Sequence, residues 1–321
     1  YVGKQVGNFS ADEWLPGGEL GTTMSTEYEL ETPAIEKSDL SNAFLVGEAM
    51  FEHDFMGSSS NPIFGGLGPA YVRSSCIRCH PNYGRRVTRF DSDFRGNGYL
   101  LVVYHPVDGK NSNDGPFVSE LTGMPQTKAS SPFLPPVDER GINIAWHNVT
   151  EMESGLPMRF PDGESYELIY PEITINDNAF NTDPKPSNIA VRLESTIGLY
   201  GTGLLDAITE ADMLEQHRKE AKYVELNPAM WDKTNNYWAG DKTLNKSNGA
   251  WYRLADGTMK IRKFTYGMTR ASLQDGPGAN AMWNITNVSR SDRPFLYTTS
   301  AWANAMSKNS DVIAAIKKNP S

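Results

Sequence analysis

The chain has 321 residues, a net charge of −9 and a sequence pI near 5.2. This acidic balance argues against nucleic acid as a partner, because phosphate backbones attract proteins with positive surfaces. Hydrophobic residues make up 39% of the chain, which is too many for a disordered protein, and the length suits one or two domains. No run of 18 apolar residues occurs, so no membrane span is predicted.

The chain opens with a polar stretch and then a first helix. Residues 1–39 are interrupted by Gly and Pro, which predicts an N-terminal arm that wraps the surface. A helix is predicted over 41–55, with Ser41 as its N-cap and three phenylalanines on one face. Gly47 lies between the phenylalanines, and it permits either the close approach of a flat group or ordinary helix packing.

Residues 76–80 read Cys-Ile-Arg-Cys-His, and Cys76 and Cys79 are the only cysteines of the chain. This spacing is typical of c-type haem attachment: two thiols three residues apart reach the two vinyl groups of one porphyrin, and His80 supplies the proximal nitrogen to iron. A zinc site would need two more soft ligands nearby. A thioredoxin-like pair would need a strand-to-helix transition, which Pro81 and its neighbours do not suggest. We therefore predict one covalent haem c.

The predicted haem also indicates a compartment. Thioether attachment is normally completed outside the cytoplasm in bacteria, so the sequence predicts a periplasmic or otherwise exported protein. Tyr1 is followed by neither a charged nor an apolar leader segment, so we expect any signal peptide to have been removed.

Strand patterns follow the cysteine motif. Residues 99–104 form a β-branched and aromatic run, and apolar residues alternate from Ile142 to Trp146. Two Asp-Gly turns predict hairpins, one over 158–170 and one over 251–264.

Two later segments predict helices. Thr209 begins a sequence that resembles a capping box and continues as a helix to Ala221. A last amphipathic helix is predicted from Asp311 to about Lys318, with Ser310 as its cap.

These patterns predict a mainly α fold: a cytochrome-c-like haem core with β-hairpin and long-loop insertions. The arm covers 1–39 and the haem domain 40–321. A β-rich insertion occupies about 99–190, and the helical core lies around 40–95 and 200–320.

Several blocks of sequence resemble one known family, the di-haem oxidoreductases or thiol-oxidoreductase-like proteins, which are distant relatives of di-haem cytochrome c peroxidases and MauG. The resemblance covers roughly residues 40–290. The blocks are Phe44-x-x-Gly47-x-x-x-Phe51, Gly66-Leu67-Gly68-Pro69, Ser75-Cys76-x-x-Cys79-His80 with Gly84-Arg85, Val191-Arg192-Leu193, residues 197–208, residues 262–267 and 271–274, and Met282-Trp283-Asn284-Ile285-Thr286-Asn287.

The resemblance implies the N-terminal haem part of a di-haem peroxidase-like oxidoreductase. Family members carry a second Cys-x-x-Cys-His in a C-terminal cytochrome domain, and this sequence has none. A shortened chain, a cleaved protein and a true mono-haem variant all stay open. The expected partner is a redox protein or a second haem domain. The alternatives are a mono-haem electron carrier and a haem-bearing binding module linked to metal uptake.

The sixth iron position decides between these functions. A strong Met or His ligand makes an electron carrier, whereas an open position permits peroxide chemistry. Met282 and His147 are the distal candidates that we rank first. The others are His53, His105, His217 and Met124.

Three arginines are candidates for pairing with haem propionates, since a guanidinium matches a carboxylate. Arg85 and Arg86 directly follow the motif, and Arg192 lies in a block that matches the family. For Arg85 and Arg86, the alternative is an ordinary charged side chain on the solvated surface.

Other site motifs are weak or missing. Residues 108–114 offer oxygen ligands for calcium, but Lys110, Asn113 and Ser119 depart from the EF-hand pattern. The stretch is therefore either a polar loop or a calcium site of another geometry. The sequence lacks Gly-x-Ser-x-Gly, His-Glu-x-x-His and a Walker loop.

Overall fold

The structure is a computed structural model. It describes residues 31–84, 98–107, 118–196, 198–254, 256–264, 268, 270–273, 278 and 281–318. The α-helices in this part of the chain are α1 Pro33–Glu36, α2 Ser41–Glu52, α3 Glu151–Ser154, α4 Thr202–Ala207, α5 Glu210–Glu220, α6 Ser300–Ser307 and α7 Ser310–Lys318. The strands are β1 Ala70–Tyr71, β2 Tyr99–Tyr104, β3 Lys128–Ala129, β4 Ile142–Val149, β5 Leu168–Ile175, β6 Ala190–Ser195, β7 Trp231–Asp232, β8 Tyr237–Trp238, β9 Trp251–Arg253 and β10 Met259–Ile261.

The chain divides into two compact units. Unit 1 consists of Tyr1–Leu45 and Leu199–Met282, and unit 2 consists of Val46–Gly198 and Trp283–Ser321. The cysteine motif therefore belongs to unit 2.

The prediction of a mainly α, cytochrome-c-like core is wrong, because the fold is mixed α/β. The strands named above all pair antiparallel, in two-stranded sheets. The largest buried cluster of unit 2 draws Leu101 and Val103 from β2 and Ile142 from β4, with side chains of β5 and β6 packed against it. Strand residues rather than helix residues build this core, because the β-branched runs are long enough to pair and to bury one face.

The longest pairing joins β4 to β5, from Ile142 opposite Ile175 to Val149 opposite Leu168. The predicted Asp-Gly hairpin over 158–170 forms only near its turn. Gly163 has φ +92°, Arg159 lies opposite Ser165, and the N–H groups of Phe160 and Tyr166 donate to the Glu164 and Met158 carbonyls at 2.8 and 3.1 Å. Residues 168–170 pair with β4 instead.

The second predicted hairpin is confirmed. Strands β9 and β10 pair antiparallel, with Ile261 opposite Trp251. Gly257 of the turn has φ +88°, a conformation that glycine adopts without a steric cost.

The helix predictions hold with corrections at helix ends. Ser41 is the first residue of α2 rather than its N-cap, since its hydroxyl donates to Glu31 Oε2 at 2.6 Å, and the helix ends at Glu52, three residues before Phe55. Thr209 caps α5, because its side chain accepts from the Asp212 N–H. Asn309 rather than Ser310 caps α7, since Asn309 Oδ1 accepts from the N–H groups of residues 311 and 312 at 3.0 and 3.1 Å.

A glycine-rich segment packs directly against a distant stretch before the chain reaches the cysteine motif. A Cβ on Gly68 would lie 2.3 Å from the Asn287 carbonyl oxygen, so only glycine fits there. Asn287 is 1% exposed, and its Nδ2 donates to the Ala70 carbonyl at 2.7 Å. The Val72 N–H donates to the Ile285 carbonyl at 2.8 Å. These contacts fix the course of the chain toward Cys76.

No helix within the described ranges is both long enough and apolar enough to cross a membrane, in agreement with the sequence.

Candidate haem attachment site

The cysteine motif folds as one hydrogen-bonded turn, which we call the attachment turn (Cys76–His80). The N–H groups of Cys79 and His80 both donate to the Cys76 carbonyl at 3.0 Å. His80 then occupies the N-cap position of the short 3₁₀ helix Pro81–Tyr83. In a turn closed by such bonds, residues three and four apart are neighbours along the backbone.

Helix α2 lies along one side of the attachment turn. The Ile77 N–H donates to the Phe51 carbonyl at 3.2 Å. The Phe51 ring lies 6.2 Å from the His80 ring and stacks on Tyr83 at 5.3 Å between centroids. The Tyr83 hydroxyl donates to the Glu52 carboxylate. The side chain of His80 therefore stands beside an aromatic pair that is itself anchored to the helix.

Thr196 holds the other end of the turn. Its Oγ1 lies 2.7 Å from the Cys79 carbonyl and 3.0 Å from the Gly98 carbonyl, and the side chain is buried. One hydroxyl thus satisfies a buried carbonyl of the attachment turn and joins it to the segment that leads into β2.

An ion pair fixes the middle of the turn. Arg78 donates to Asp54 Oδ2 at 3.0 Å, and the Ser74 hydroxyl donates to Asp54 Oδ1 at 2.6 Å. The Arg78 guanidinium, aided by Ser74, holds the pKa of the Asp54 carboxyl below its ordinary value. Both charged side chains are about half-exposed, so the pair orders the loop more than it stabilises the fold.

The two thiols differ in accessibility. Cys76 is partly exposed, whereas Cys79 is 5% exposed. Burial raises the pKa of the Cys79 thiol to about 11 and also raises the pKa of the Cys76 thiol. Dithiol redox enzymes need the opposite, a lowered pKa that makes the thiolate nucleophilic. The surroundings of these cysteines are thus unlike those of a thioredoxin-type pair.

The two distal ligand candidates that rank first lie in different elements of the fold. His147 lies on β4, where its Nε2 is 3.0 Å from Glu172 Oε2 and its ring stacks on Tyr170. Met282 lies in the π-helix Ala281–Ile285 and is half-buried. The assignment of either side chain as a ligand to the haem iron stays a prediction.

The lower-ranked candidates also contact their own surroundings. His53 packs on Phe64 at 4.0 Å between ring centroids, and His105 Nδ1 is 3.0 Å from the Asn188 carbonyl. His217 Nδ1 accepts from the Trp238 indole at 3.0 Å. The Met124 carbonyl accepts from Thr122.

Of the three arginines predicted to pair with haem propionates, only Arg192 lies among the described residues. Arg85, Arg86 and the calcium candidate 108–114 lie outside the described residues. Arg192 lies on β6, 3.6 Å from Glu194 and 5.6 Å from the centre of the Tyr104 ring. Its role toward a propionate stays a prediction.

Within the described ranges, no three His, Cys, Asp or Glu side chains come together as a metal-binding group. Cys76, Cys79 and His80 are among the residues covered by this finding, so their part in holding a haem stays a prediction.

Sequence reasoning missed the residues that support the turn. Thr196 lies 117 positions from Cys79, and no local pattern links the two. No pattern in the sequence indicated that Asp54 would pair with Arg78 either. Tyr83 was detectable in principle, as an aromatic residue three positions after His80.

Comparisons with protein-family models, with curated proteins and with solved structures find no match to this chain. The resemblance noted above therefore depends on the quoted motifs alone.

Proposed function

We propose that this chain is an exported c-type haem protein that transfers electrons, with its haem held by Cys76, Cys79 and His80. The observation that carries the proposal is the attachment turn, in which the backbone N–H groups of Cys79 and His80 both donate to the Cys76 carbonyl.

The residues fit the cofactor by their chemistry. The two sulfurs are the groups that form thioethers with vinyl carbons, and the His80 imidazole is a suitable proximal ligand. When bound, haem c supplies a one-electron couple at iron. Since Cys79 is 5% exposed, we infer that its sulfur is joined before the chain packs around it.

The neighbouring side chains orient the histidine and the backbone. Phe51 and Tyr83 stack on each other beside the His80 ring, which restricts its rotation. Thr196 fixes the Cys79 carbonyl and so limits movement of the second attachment point. A rigid site of this kind suits electron transfer, because little rearrangement is then needed when the charge on iron changes.

The finer assignment rests on the family resemblance. We propose the first-haem part of a di-haem peroxidase-like enzyme, whose partner is a redox protein or a second haem domain. Peroxide reduction needs two electrons, and one ferrous-to-ferric step supplies one. This chain alone should therefore reduce peroxide poorly.

The test is the retention of haem through denaturation. The exported protein is extracted with acidified organic solvent, and a pyridine haemochrome spectrum is recorded on both layers. We expect the colour to stay with the polypeptide. Cys76→Ala and Cys79→Ala should each leave one thioether and shift the haemochrome band, and the double variant should release the haem.

A pair of variants separates ligation from attachment. His80→Ala should alter the Soret band of the native protein, while Tyr223→Ala, a change at an exposed ring with no proposed role toward haem, should not. Haem that passes into the organic layer from the unaltered protein would refute the proposal.

A further inference from the structure

Unit 1 has a partly open cavity of about 210 Å³ that the haem proposal does not use. Its walls come from α5, from the segment after it, and from the strands β7, β8 and β10. The lining residues are His217, Glu220, Leu226, Asn227, Met230, Trp231, Trp238, Ala250, Ile261 and Met268.

The cavity borders a group of three buried tryptophans, which we call the tryptophan cluster (Trp231, Trp238 and Trp251). Each is at most 5% exposed. Trp231 lies opposite Trp238 in the β7–β8 pair, and the rings of Trp238 and Trp251 meet edge to face at 5.8 Å. The rings pack on one another, and Trp231 and Trp238 also line one side of the space without filling it.

Some polar groups that line the cavity have hydrogen-bond partners, and one does not. The Trp238 indole N–H donates to His217 Nδ1 at 3.0 Å. With Nδ1 accepting, the neutral imidazole carries its own proton on Nε2, which makes that nitrogen a donor. Trp231 is 4% exposed, and its indole N–H has no hydrogen-bond partner in the described structure. A buried donor without an acceptor is unfavourable, and a bound molecule with an acceptor would relieve it.

We propose that this cavity binds a small, neutral, planar ring compound that carries a carbonyl oxygen. The aromatic and methionine walls provide contact area for a flat ring. The carbonyl would accept from the Trp231 indole, the buried donor that has no other partner. The Glu220 carboxylate in the lining disfavours an anion, and a cation would offer no acceptor to the Trp231 indole N–H.

The proposal is independent of the haem. All lining residues belong to unit 1, whereas Cys76, Cys79 and His80 belong to unit 2. Failure of haem attachment would leave it intact, and failure of ligand binding would leave the haem proposal intact.

Four probes test the chemistry by isothermal titration: benzamide, benzoate, toluene and benzyltrimethylammonium. Benzamide presents a neutral carbonyl and an amide group that can donate to Glu220. We expect it to bind at least about tenfold more tightly than benzoate or the cation, and about fivefold more tightly than toluene, since one hydrogen bond distinguishes the last pair.

Variants assign the binding to the cavity. Trp231→Phe should weaken benzamide binding about fivefold. Trp283→Phe, a change at a ring that is 51% exposed, should leave it unaltered. Leu226→Trp should abolish binding by filling the space from a partly exposed position.

A nuclear magnetic resonance readout does not depend on the stability of any variant. In the unaltered protein with its haem iron reduced, benzamide should move one indole N–H signal downfield, and toluene should not. The absence of benzamide binding, a preference for the cation or the anion, or binding that shifts no indole signal would overturn the proposal.

Discussion

The attachment turn and the tryptophan cluster are stabilised by different forces. The turn is held through its backbone: the Cys76 carbonyl accepts twice, and Thr196 contacts the Cys79 carbonyl. Its Cys76 and His80 side chains stay partly exposed. In the cluster the side chains themselves pack, ring on ring, and each tryptophan is buried. Directional bonds to the backbone can hold a segment in place while leaving its reactive side chains available, whereas apolar packing consumes the side chains that produce it.

The largest expected effect is on the cluster. Trp251→Ala should lower the free energy of unfolding by about 3–5 kcal/mol, because it leaves a large cavity beside Trp238. Urea unfolding followed by circular dichroism measures it. Trp283→Ala is the matched control: that ring is half-exposed beneath the Arg293 guanidinium, and the loss should stay below about 1 kcal/mol. Equal losses in the two variants would show that the cluster is not a packed core.

The next effect concerns the approach to the attachment turn. Asn287→Ala removes a donor to the Ala70 carbonyl and an acceptor for the Tyr297 N–H, both at 2.7 Å. Two buried hydrogen bonds are worth about 2–3 kcal/mol in the free energy of unfolding. Asn143→Ala removes only an exposed contact of 3.4 Å to Asn176 and should cost almost nothing. A loss below about 0.5 kcal/mol for Asn287→Ala would contradict this description of unit 2.

The Thr196 hydroxyl tests whether side-chain hydrogen bonds hold the attachment turn in place. Thr196→Val keeps the shape of the side chain but leaves the buried Cys79 and Gly98 carbonyls without this donor. We expect a loss of about 1–2 kcal/mol in the free energy of unfolding, measured in urea. Thr243→Val changes an exposed hydroxyl that contacts Asp241, so its effect should be near zero. If the two threonines behave alike, Thr196 does not hold the turn.

The smallest effect is a dependence of stability on pH. The Asp54 pKa is lowered in the folded protein, chiefly by its hydrogen bond to Arg78. Its contribution to stability is therefore present above the unfolded pKa of about 4 and is lost as pH falls through the folded value. Because the pair is half-exposed, the contribution should be below about 1 kcal/mol.

A double-mutant cycle isolates that contribution. Asp54→Asn should flatten the decline in the free energy of unfolding below pH 4, and it should do so much less in an Arg78→Gln background. The same flattening in both backgrounds would show that Arg78 is not the cause of the lowered pKa.

Local patterns in the sequence predicted local structure well. The residues at 99–104 form β2, the Asp-Gly turn at 256–257 joins β9 to β10, and Thr209 caps α5. In each case the determining contacts lie within a few positions of one another, where turn chemistry and side-chain periodicity act directly.

Contacts between distant residues were not predictable in this way. Residues 168–170 had a plausible partner across the turn at Gly163, yet they pair with β4 through register that the side-chain pattern did not distinguish. The same limit explains the incorrect fold class, since a strand pattern shows that a segment is extended but not how much of the core it forms. In the site, the motif itself was visible, but Thr196 and Asp54 were not.

The covalent bond between this chain and haem is the central claim, and intact mass spectrometry under denaturing conditions tests it most directly. The protein is produced with its export and c-type haem maturation in place. We predict the mass of the polypeptide plus one haem, with the addition mapped to a peptide that contains both Cys76 and Cys79. A mass equal to the 35.6 kDa polypeptide alone, from a preparation that is red before denaturation, would contradict the account.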